Sequence, residues 1–561
     1  FAIGNRNRLA FEQTKNENSW QAYKRFLEAY PDAMQAIEAL QLYERLLYED
    51  FAKGNNLASL EKFLLKYPAS PYAASAQDAV FRLSVPQRTI KQYYAFVKKY
   101  PENRNVTIAW NNIYSLYTGD FTPEKIAGFY LEYPDYPDKE SIGADLLLSV
   151  MKMYPIRNND LYGFADSTGK VQIACAYDWV DDFSEGLAAS GKNNKAGFIA
   201  KSGKVKIPFD FDEAEGFAKG YALVKKGTHY GLIDKTGNLV VPAIYDEIYP
   251  FSEARAVVVK DAKYGYVDSD GDVTIANKYE KAGDFSGGMA YVVLNGKYGF
   301  IDRNGQLVID AVFDWVEPFQ RGVARVRKGD LYGLLRKSGE MLIPCSYDLI
   351  GEFKEGLAVI VQNKMMGFID RKGQFIIPLE YDYEPQLAQN GGFQNGIAKV
   401  FKGDKTGFVD TAGKVSLFKD YENLYAPTEG LMAVQRRGKW GFVNEKQKTI
   451  IDFEYTYCWP FTEGRARIKT DGKAGFVNHA GDLAVPAMYL EANDFKNGYG
   501  LVKTDSGWGI IDPDNNNILR CIYDKIEFTD THYVLLERKG KWAYFHLLKC
   551  EFLWKENGFE E

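Results

Sequence analysis

Tyr298-Gly299-Phe300-Ile301-Asp302-Arg303-Asn304-Gly305-Gln306-Leu307-Val308-Ile309 decides the fold, because the glycine at its head returns every 34 residues. It stands at Gly163, Gly197, Gly231, Gly265, Gly299, Gly333 and Gly367, then at Gly407, Gly441, Gly475 and Gly509. The one irregular interval, from 367 to 407, is 40. A period held this strictly over about two thirds of a chain means a repeat array. It also argues against an enzyme, since an array spreads its design over equivalent units and a catalytic site needs one place unlike the others.

Each column of the repeat is a physical statement. The two residues after the glycine are apolar, as in Phe198-Ile199 and Ile510-Ile511, which marks a short strand buried on both faces. Three residues on comes Asp (Asp166, Asp234, Asp268, Asp302, Asp370, Asp410, Asp512) or Asn (Asn444, Asn478), and Gly usually follows three later. Asp-x-x-Gly reads as a turn whose carboxylate caps backbone N–H groups and whose glycine accepts positive φ. One carboxylate per repeat is turn chemistry, whereas calcium needs several oxygens converging on each ion. Alternating apolar residues at +8 and +10 predict a second, antiparallel strand. An aromatic at +14 and apolar columns at +17 and +20 break strand alternation and predict a compact crossover. Small residues at +23 and +25, such as Gly356 and Ala358, open a third strand.

Residues 1–155 have a different texture. Phe-x-x-x-Tyr-Pro occurs at Phe26–Pro31, Phe63–Pro68, Phe96–Pro101 and Phe129–Pro134, with helical periodicity between the copies. Each proline sits where a helix must stop. This stretch resembles the tetratricopeptide-like repeats of bacterial envelope proteins, although the Gly and Ala positions of the standard pattern are mostly missing. The resemblance implies a helical-hairpin array whose concave face holds a partner's helix or extended segment.

From about residue 160 the units read Gly-Phe-Ile-Asp-x-x-Gly-x-x-x-x-Pro-x-x-Tyr-Asp-x-x-x-x-Phe-x-x-Gly-x-Ala, headed by Trp440-Gly441, Trp508-Gly509 and Tyr-Gly pairs. They resemble the WG (KWG) repeats of bacteria, with a twelfth copy begun at Trp542-Ala543. The resemblance implies an all-β array, in proteins often exported, with no catalytic residues to carry over. The expected organisation is α+β and multidomain: a helical repeat domain over 1–155 and an all-β array of eleven to twelve repeats over 160–561. Three strands per unit are fewer than a propeller blade holds, and eleven or twelve units exceed the usual number of blades. An open β superhelix is therefore expected, with a closed propeller-like ring as the alternative and a frayed C-terminal cap.

Composition excludes some classes. The net charge of −6 offers no basic field for nucleic acid. No apolar run is long enough for a membrane span. The initial Phe1 fits removal of a leader or tag. Cys175, Cys345 and Cys521 share one repeat column and read as buried thiols, not a disulfide framework. His229, His479, His532 and His546 form no metal-ligand spacing, and no phosphate-binding loop, dinucleotide fingerprint or nucleophile elbow occurs. No catalytic residue, cofactor or metal is expected.

Function is sought where the repeats differ. At +16, where most repeats are polar, stand Trp179, Trp315, Tyr383 and Tyr457, and at +18 stand Tyr249, Tyr425 and Trp459. Large aromatics in a polar column are candidates for contact with a partner or a sugar face, against packing on a neighbouring repeat. The insertion Asp382–Gly392 maps to a loop, a common place for a binding face. The best reading is a non-enzymatic protein-interaction scaffold of a Gram-negative envelope or surface, with outer-membrane components as partners. A glycan-binding protein using the same aromatics is the second reading, and an enzyme with an unfamiliar site the third. In a member of the Bacteroidota, Asp166-Ser167-Thr168 and Asp410-Thr411-Ala412 would resemble a short O-glycosylation signal on Ser167 and Thr411.

Overall fold

The computed structural model describes residues 2–385 and 392–561. Helices run from Ala2–Glu17 to Lys139–Val150, in antiparallel hairpins, and strands follow from Met153 onward. The Phe-x-x-x-Tyr-Pro motif is a helix terminator. In Leu57–Lys66 the N–H of Tyr67 closes the last turn on the Phe63 carbonyl, and Phe63 is fully buried. Tyr30, Tyr100 and Tyr133 repeat this on Phe26, Phe96 and Phe129. The other end of each of these helices is capped by a side chain: Ser19, Asn56, Thr89 and Thr122 accept a backbone N–H three residues on.

The β array is a ring of twelve small antiparallel sheets, the first of three strands and the rest of four. Each is a blade whose strands are neighbours in sequence order. In the sixth blade they are Trp315–Val316, Val323–Lys328, Leu331–Arg336 and Met341–Tyr347. The last blade, ending with Glu551–Lys555, packs on the first, where Tyr154, Ile156 and Ala165 meet Tyr544. The closed propeller-like ring, not the open superhelix, is therefore the architecture.

Two features misled the expectation. The fourth strand is only two residues long, pairing Trp315 with Arg327 and Val316 with Val326, and it hides within the crossover spacing. Blades also straddle repeats, taking two strands from one unit and two from the next. The Trp542 remnant is thus the third strand of the twelfth blade, Lys541–His546, and not a frayed cap.

The recurring glycine is required by close backbone approach. Tyr298 pairs with Phe313 but Phe300 pairs with Ile309, so the outer strand bulges over Gly299. A Cβ there would lie 2.6 Å from the Ile309 oxygen and 2.7 Å from the Ala311 nitrogen. The Asp-x-x-Gly turn forms as its spacing predicts: Asp302 accepts the N–H groups of Asn304 and Gln306, and Gly305 has φ +78°. The acidic residue after the +14 aromatic has its own task. Asp314 accepts the Gly329 N–H at 2.7 Å, closing the hairpin at the opposite face of the ring.

Between blades lies a repeated apolar core. Met289, Phe300, Ile309 and Phe313 of the fifth blade pack on Val316, Phe319, Ala324, Val326 and Leu335 of the sixth. The +20 phenylalanine sets against the ring at +1, as in Phe300–Phe319 at 4.7 Å and Phe198–Phe217 at 4.9 Å.

Candidate functional site

Six of the seven aromatics singled out above stand on or just beyond the first strand of a blade, whereas Tyr383 follows the last strand of the seventh, Phe375–Asp382, and only some of them meet. Trp179 lies across Gly191, where a Cβ would come within 2.0 Å of the indole nitrogen. Trp315 packs between Tyr332 and the Arg325 guanidinium. Tyr249 is 39% exposed and donates its hydroxyl to Glu247. Tyr383, half-buried beside the insertion, donates its backbone N–H to Lys364. Gln386 to Gly391 of that insertion lie outside the described residues.

Tyr425, Tyr457 and Trp459 come together on the ninth and tenth blades. Tyr457 lies 4.4 Å from Trp459 and 4.9 Å from Trp440, and the Tyr425 and Tyr457 hydroxyls are hydrogen-bonded. Burial and the Tyr457 hydroxyl hold the Tyr425 phenol well above its usual range. The Arg467 guanidinium sits 3.8 Å over Trp459, fixed by Asp494 at 2.9 Å and the Ala492 carbonyl at 2.6 Å. The result is a half-exposed platform of three rings, backed by the buried Trp440 ring, with one clamped cation. Trp440 was overlooked because it reads as the Trp of a Trp-Gly pair, and Arg467 because nothing in sequence places it over Trp459.

On the rim that carries the Asp-x-x-Gly turns, adjacent blades are stapled by carboxylates. Glu253 accepts the N–H groups of Gly287 and Gly288 at 2.6 and 2.8 Å. Glu463 does the same for Asn497 and Gly498, and Glu185, Glu355 and Glu429 hold Gly220, Gly396 and Gly464. A cation from the turn of the neighbouring blade neutralises the carboxylate in Lys235–Glu185 and Arg303–Glu253, and the His479 imidazole lies 3.0 Å from Glu429 in the same position. The sequence signal for this column is an acidic residue 22 positions after the repeat glycine, at Glu185, Glu253, Glu355, Glu429 and Glu463, too intermittent to stand out beside the strict glycine.

The family model described as "WG containing repeat" matches in consecutive copies from 162–195 to 508–542. The chain belongs to the WG-repeat family. No curated protein matches it. Among solved structures it is similar to the extracellular domain of a hybrid two-component system from B. thetaiotaomicron, at 10% identity and TM-score 0.21, covering 67% of this chain and 64% of that one. It is also similar to a eukaryotic initiation factor (12%, TM-score 0.26, covering 64% and 92%). A third is PorZ, a surface component of the type-IX secretion system of Porphyromonas gingivalis (10%, TM-score 0.19, covering 71% and 72%). Likenesses this distant carry no argument about function.

The helical array docks on the WG ring at its first blades. Lys201 donates to the carbonyls of Leu148, Ser149 and Met151, capping the last helix. The Phe121 ring lies against Gly186, leaving no room for a Cβ. Lys235 donates to the Glu185 carbonyl and sits over Phe217, and burial pushes its pKa down to about 8. A cavity of about 380 Å³ remains between the two parts, bordered by Tyr114, Asp145 and Lys206.

Elsewhere on the WG ring the remaining residues fall into turns and columns. Ser167 is half-buried and Thr411 exposed, each in an Asp-x-x-Gly turn. Their aspartates are engaged, Asp166 with Thr168 and Asp410 with Ala412. All five cysteines are free thiols, and burial raises the pKa of Cys175, Cys345, Cys458 and Cys521. Among the described residues no three His, Cys, Asp or Glu side chains are placed to hold a metal ion, and no helix is long and apolar enough to cross a membrane.

Proposed function

We propose that this WG-repeat chain is a non-enzymatic interaction scaffold, exported to the envelope or surface of a Gram-negative bacterium. Its helical array and β ring give two docking surfaces within a larger assembly. The observation that carries this reading is the Tyr425–Tyr457–Trp459 platform. It gathers large, pre-ordered aromatic area and one fixed arginine on a half-exposed face, which is the composition of an interface hot spot. Its details favour a protein partner over a sugar, because the Arg467 guanidinium already lies over Trp459. A glycan would need an aromatic face free to stack.

The test is affinity purification from native membranes with the wild type, Tyr425→Ala and Trp459→Ala. The expected result is a stoichiometric protein partner that the two variants lose while their thermal unfolding remains cooperative. Retention of the wild type on polysaccharide, with no stoichiometric protein, would move the assignment to glycan binding. Cell fractionation that leaves the native protein in the cytosol would overturn the exported location.

A further inference from the structure

The carboxylate staple is missing twice in succession. At position 22 of their repeats, Gly287 and Arg321 stand where Glu253, Glu355 and Glu463 reach to the next blade. The N–H groups they would serve, by the register of Glu253 and Glu463, belong to Arg321 and Gly322 and to Glu355 and Gly356. Among the described residues no acceptor reaches any of the four. Their backbone is already set as in the filled sites: Arg321 and Glu355 have φ +49° and +51°, and Gly322 and Gly356 have φ +92° and +89°. Successive left-handed residues turn adjacent N–H groups into one concavity, a shape that holds anions.

The cations remain although the carboxylates are gone. Lys337 and Arg371 occupy the positions that in other blades neutralise the stapling glutamate. Here Lys337 falls back on the Gly287 carbonyl, and Arg371 faces Arg321 with, among the described residues, only the Gln320 carbonyl at 3.1 Å as acceptor. The Arg371 Nε is buried with no partner, beneath the guanidinium's packing on Phe353 at 4.3 Å. Lys219, Asn395 and Asn497 also interrupt the glutamate column, as does Thr531 in the last repeat, but the turn positions that would carry the cation for the first three hold Ser269, Glu445 and Leu547. Among the described residues, empty N–H pairs and cations without a stapling glutamate coincide only across the fifth to seventh blades, and there a groove of about 760 Å³ opens on the rim, bordered also by Glu355, whose carboxylate is taken by the Gly396 N–H.

We infer that this groove binds an acidic polypeptide segment of a partner, two of whose Asp or Glu side chains fill the consecutive N–H pairs that Gly287 and Arg321 leave open. The ring supplies its own precedent: the same N–H pair, in the same backbone conformation, takes a glutamate carboxylate elsewhere on the rim. Two sites one blade apart select for paired carboxylates on one strand of chain. Lys337, Arg321 and Arg371 add the charge, and Arg371 can donate to a carboxylate through the Nε now left bare. This deepens the scaffold reading and rests on it, by naming the chemistry of one partner segment on a surface distinct from the aromatic platform.

The experiment is fluorescence anisotropy of the full chain with a labelled octapeptide of alternating glutamate and glycine, beside its glutamine counterpart. The glutamate peptide is expected to bind and the glutamine peptide not to. Gly287→Glu restores the built-in carboxylate at a φ of +62°, close to that of Glu253, and displaces only the flexible end of Lys337. It should weaken the peptide at least tenfold while leaving the unfolding midpoint unchanged or higher. Arg371→Gln should weaken it comparably and gives a second variant should the first fold poorly. Equal binding of both peptides, or undiminished binding by both variants, would overturn the proposal. So would complete displacement by inorganic phosphate at matched ionic strength, which would mark a general anion site. If the groove fails while Trp459→Ala still loses a membrane partner, the acidic-segment inference falls and the scaffold reading stands.

Discussion

The junction of the fifth and sixth blades and the junction of the twelfth and first close the same kind of gap by different means. The first is apolar, with Phe300, Ile309 and Phe313 against Phe319, Val326 and Leu335. Its two sides are joined by chain, so they meet at no cost in loop closure. The seam has no such tether: its sides are separated by the whole ring. Its fully buried apolar cluster is small, Tyr154, Ile156, Ala165 and Tyr544, with Tyr533, Leu535, Leu553 and Trp554 partly buried around it, and polar contacts fill out the rest. Arg157 pairs with the wholly buried Glu556 carboxylate at 3.1 Å, which also takes Lys541 at 2.9 Å and the Trp542 N–H at 3.0 Å. Arg157 lies over the Trp542 ring, Tyr544 donates to the Pro155 carbonyl, and Lys152 pairs with Asp530. A repeated interface can rely on shape, because its register is set by the neighbouring turn. A seam must select its partner face from solution, and directional charge and hydrogen bonds do that.

The largest expected effect comes from removing the twelfth blade. A chain ending at Asp524 leaves the Tyr499, Ile510, Leu519 and Tyr523 face of the eleventh blade and the Tyr154 face of the first uncovered. It should self-associate and lose cooperative unfolding, read by light scattering and urea denaturation. A monomeric chain that kept its stability would show that closure contributes little and that the ordinary junctions suffice.

Glu556→Ala comes next. It strands Arg157 and Lys541 around a buried void, at a cost of about 3–5 kcal/mol. Chemical denaturation checks this. A cost near that of an exposed rim carboxylate such as Glu429, about 1 kcal/mol, would mean the seam does not depend on its ion cluster.

Gly299→Ala probes an ordinary blade. A Cβ placed 2.6 Å from the Ile309 oxygen forces the bulge apart, with an expected cost of about 1–3 kcal/mol. Ala543, which already holds the equivalent place in the twelfth blade, should tolerate exchange for Gly with little change. Its outer strand bulges elsewhere, between Tyr544 and Phe545.

The smallest effect is in pH dependence. Burial pushes the Glu556 carboxyl up, but the hydrogen bonds from Lys541, Trp542 and Arg157 outweigh it and hold it below the usual range. Its contribution is therefore complete above the unfolded value, near pH 4.3, and lost as pH falls through the lower folded value. Between about pH 5 and 2 the wild type should lose stability more steeply than Glu556→Gln. Parallel acid profiles would remove Glu556 from the account of the seam.

Much of the blade was legible from residues. The Asp-x-x-Gly turn, the strand after the glycine and the helix-stopping Tyr-Pro each rest on contacts within a few residues, and each appears where the pattern puts it. The candidate surface was legible only in part. Tyr425, Tyr457 and Trp459 stood out as aromatics in polar columns, but that they converge while Trp179, Trp315 and Tyr249 stay apart depends on which blade faces which. Arg467 reaches Trp459 across strands, and Glu253 reaches Gly287 across 34 residues, distances that local pattern does not measure.

What the sequence alone determined is therefore the unit: its period, its strands and turns, and the change from helical to β texture near residue 155. These follow from backbone preferences and from apolar residues recurring at fixed spacing. Whether the units spiral or close was decided by tertiary structure, because closure is the sum of small rotations between successive blades. No column of side chains states that sum. The seam cluster around Glu556 and the open rim between Gly287 and Arg371 likewise exist only once the ring has brought distant residues, and unlike blades, side by side.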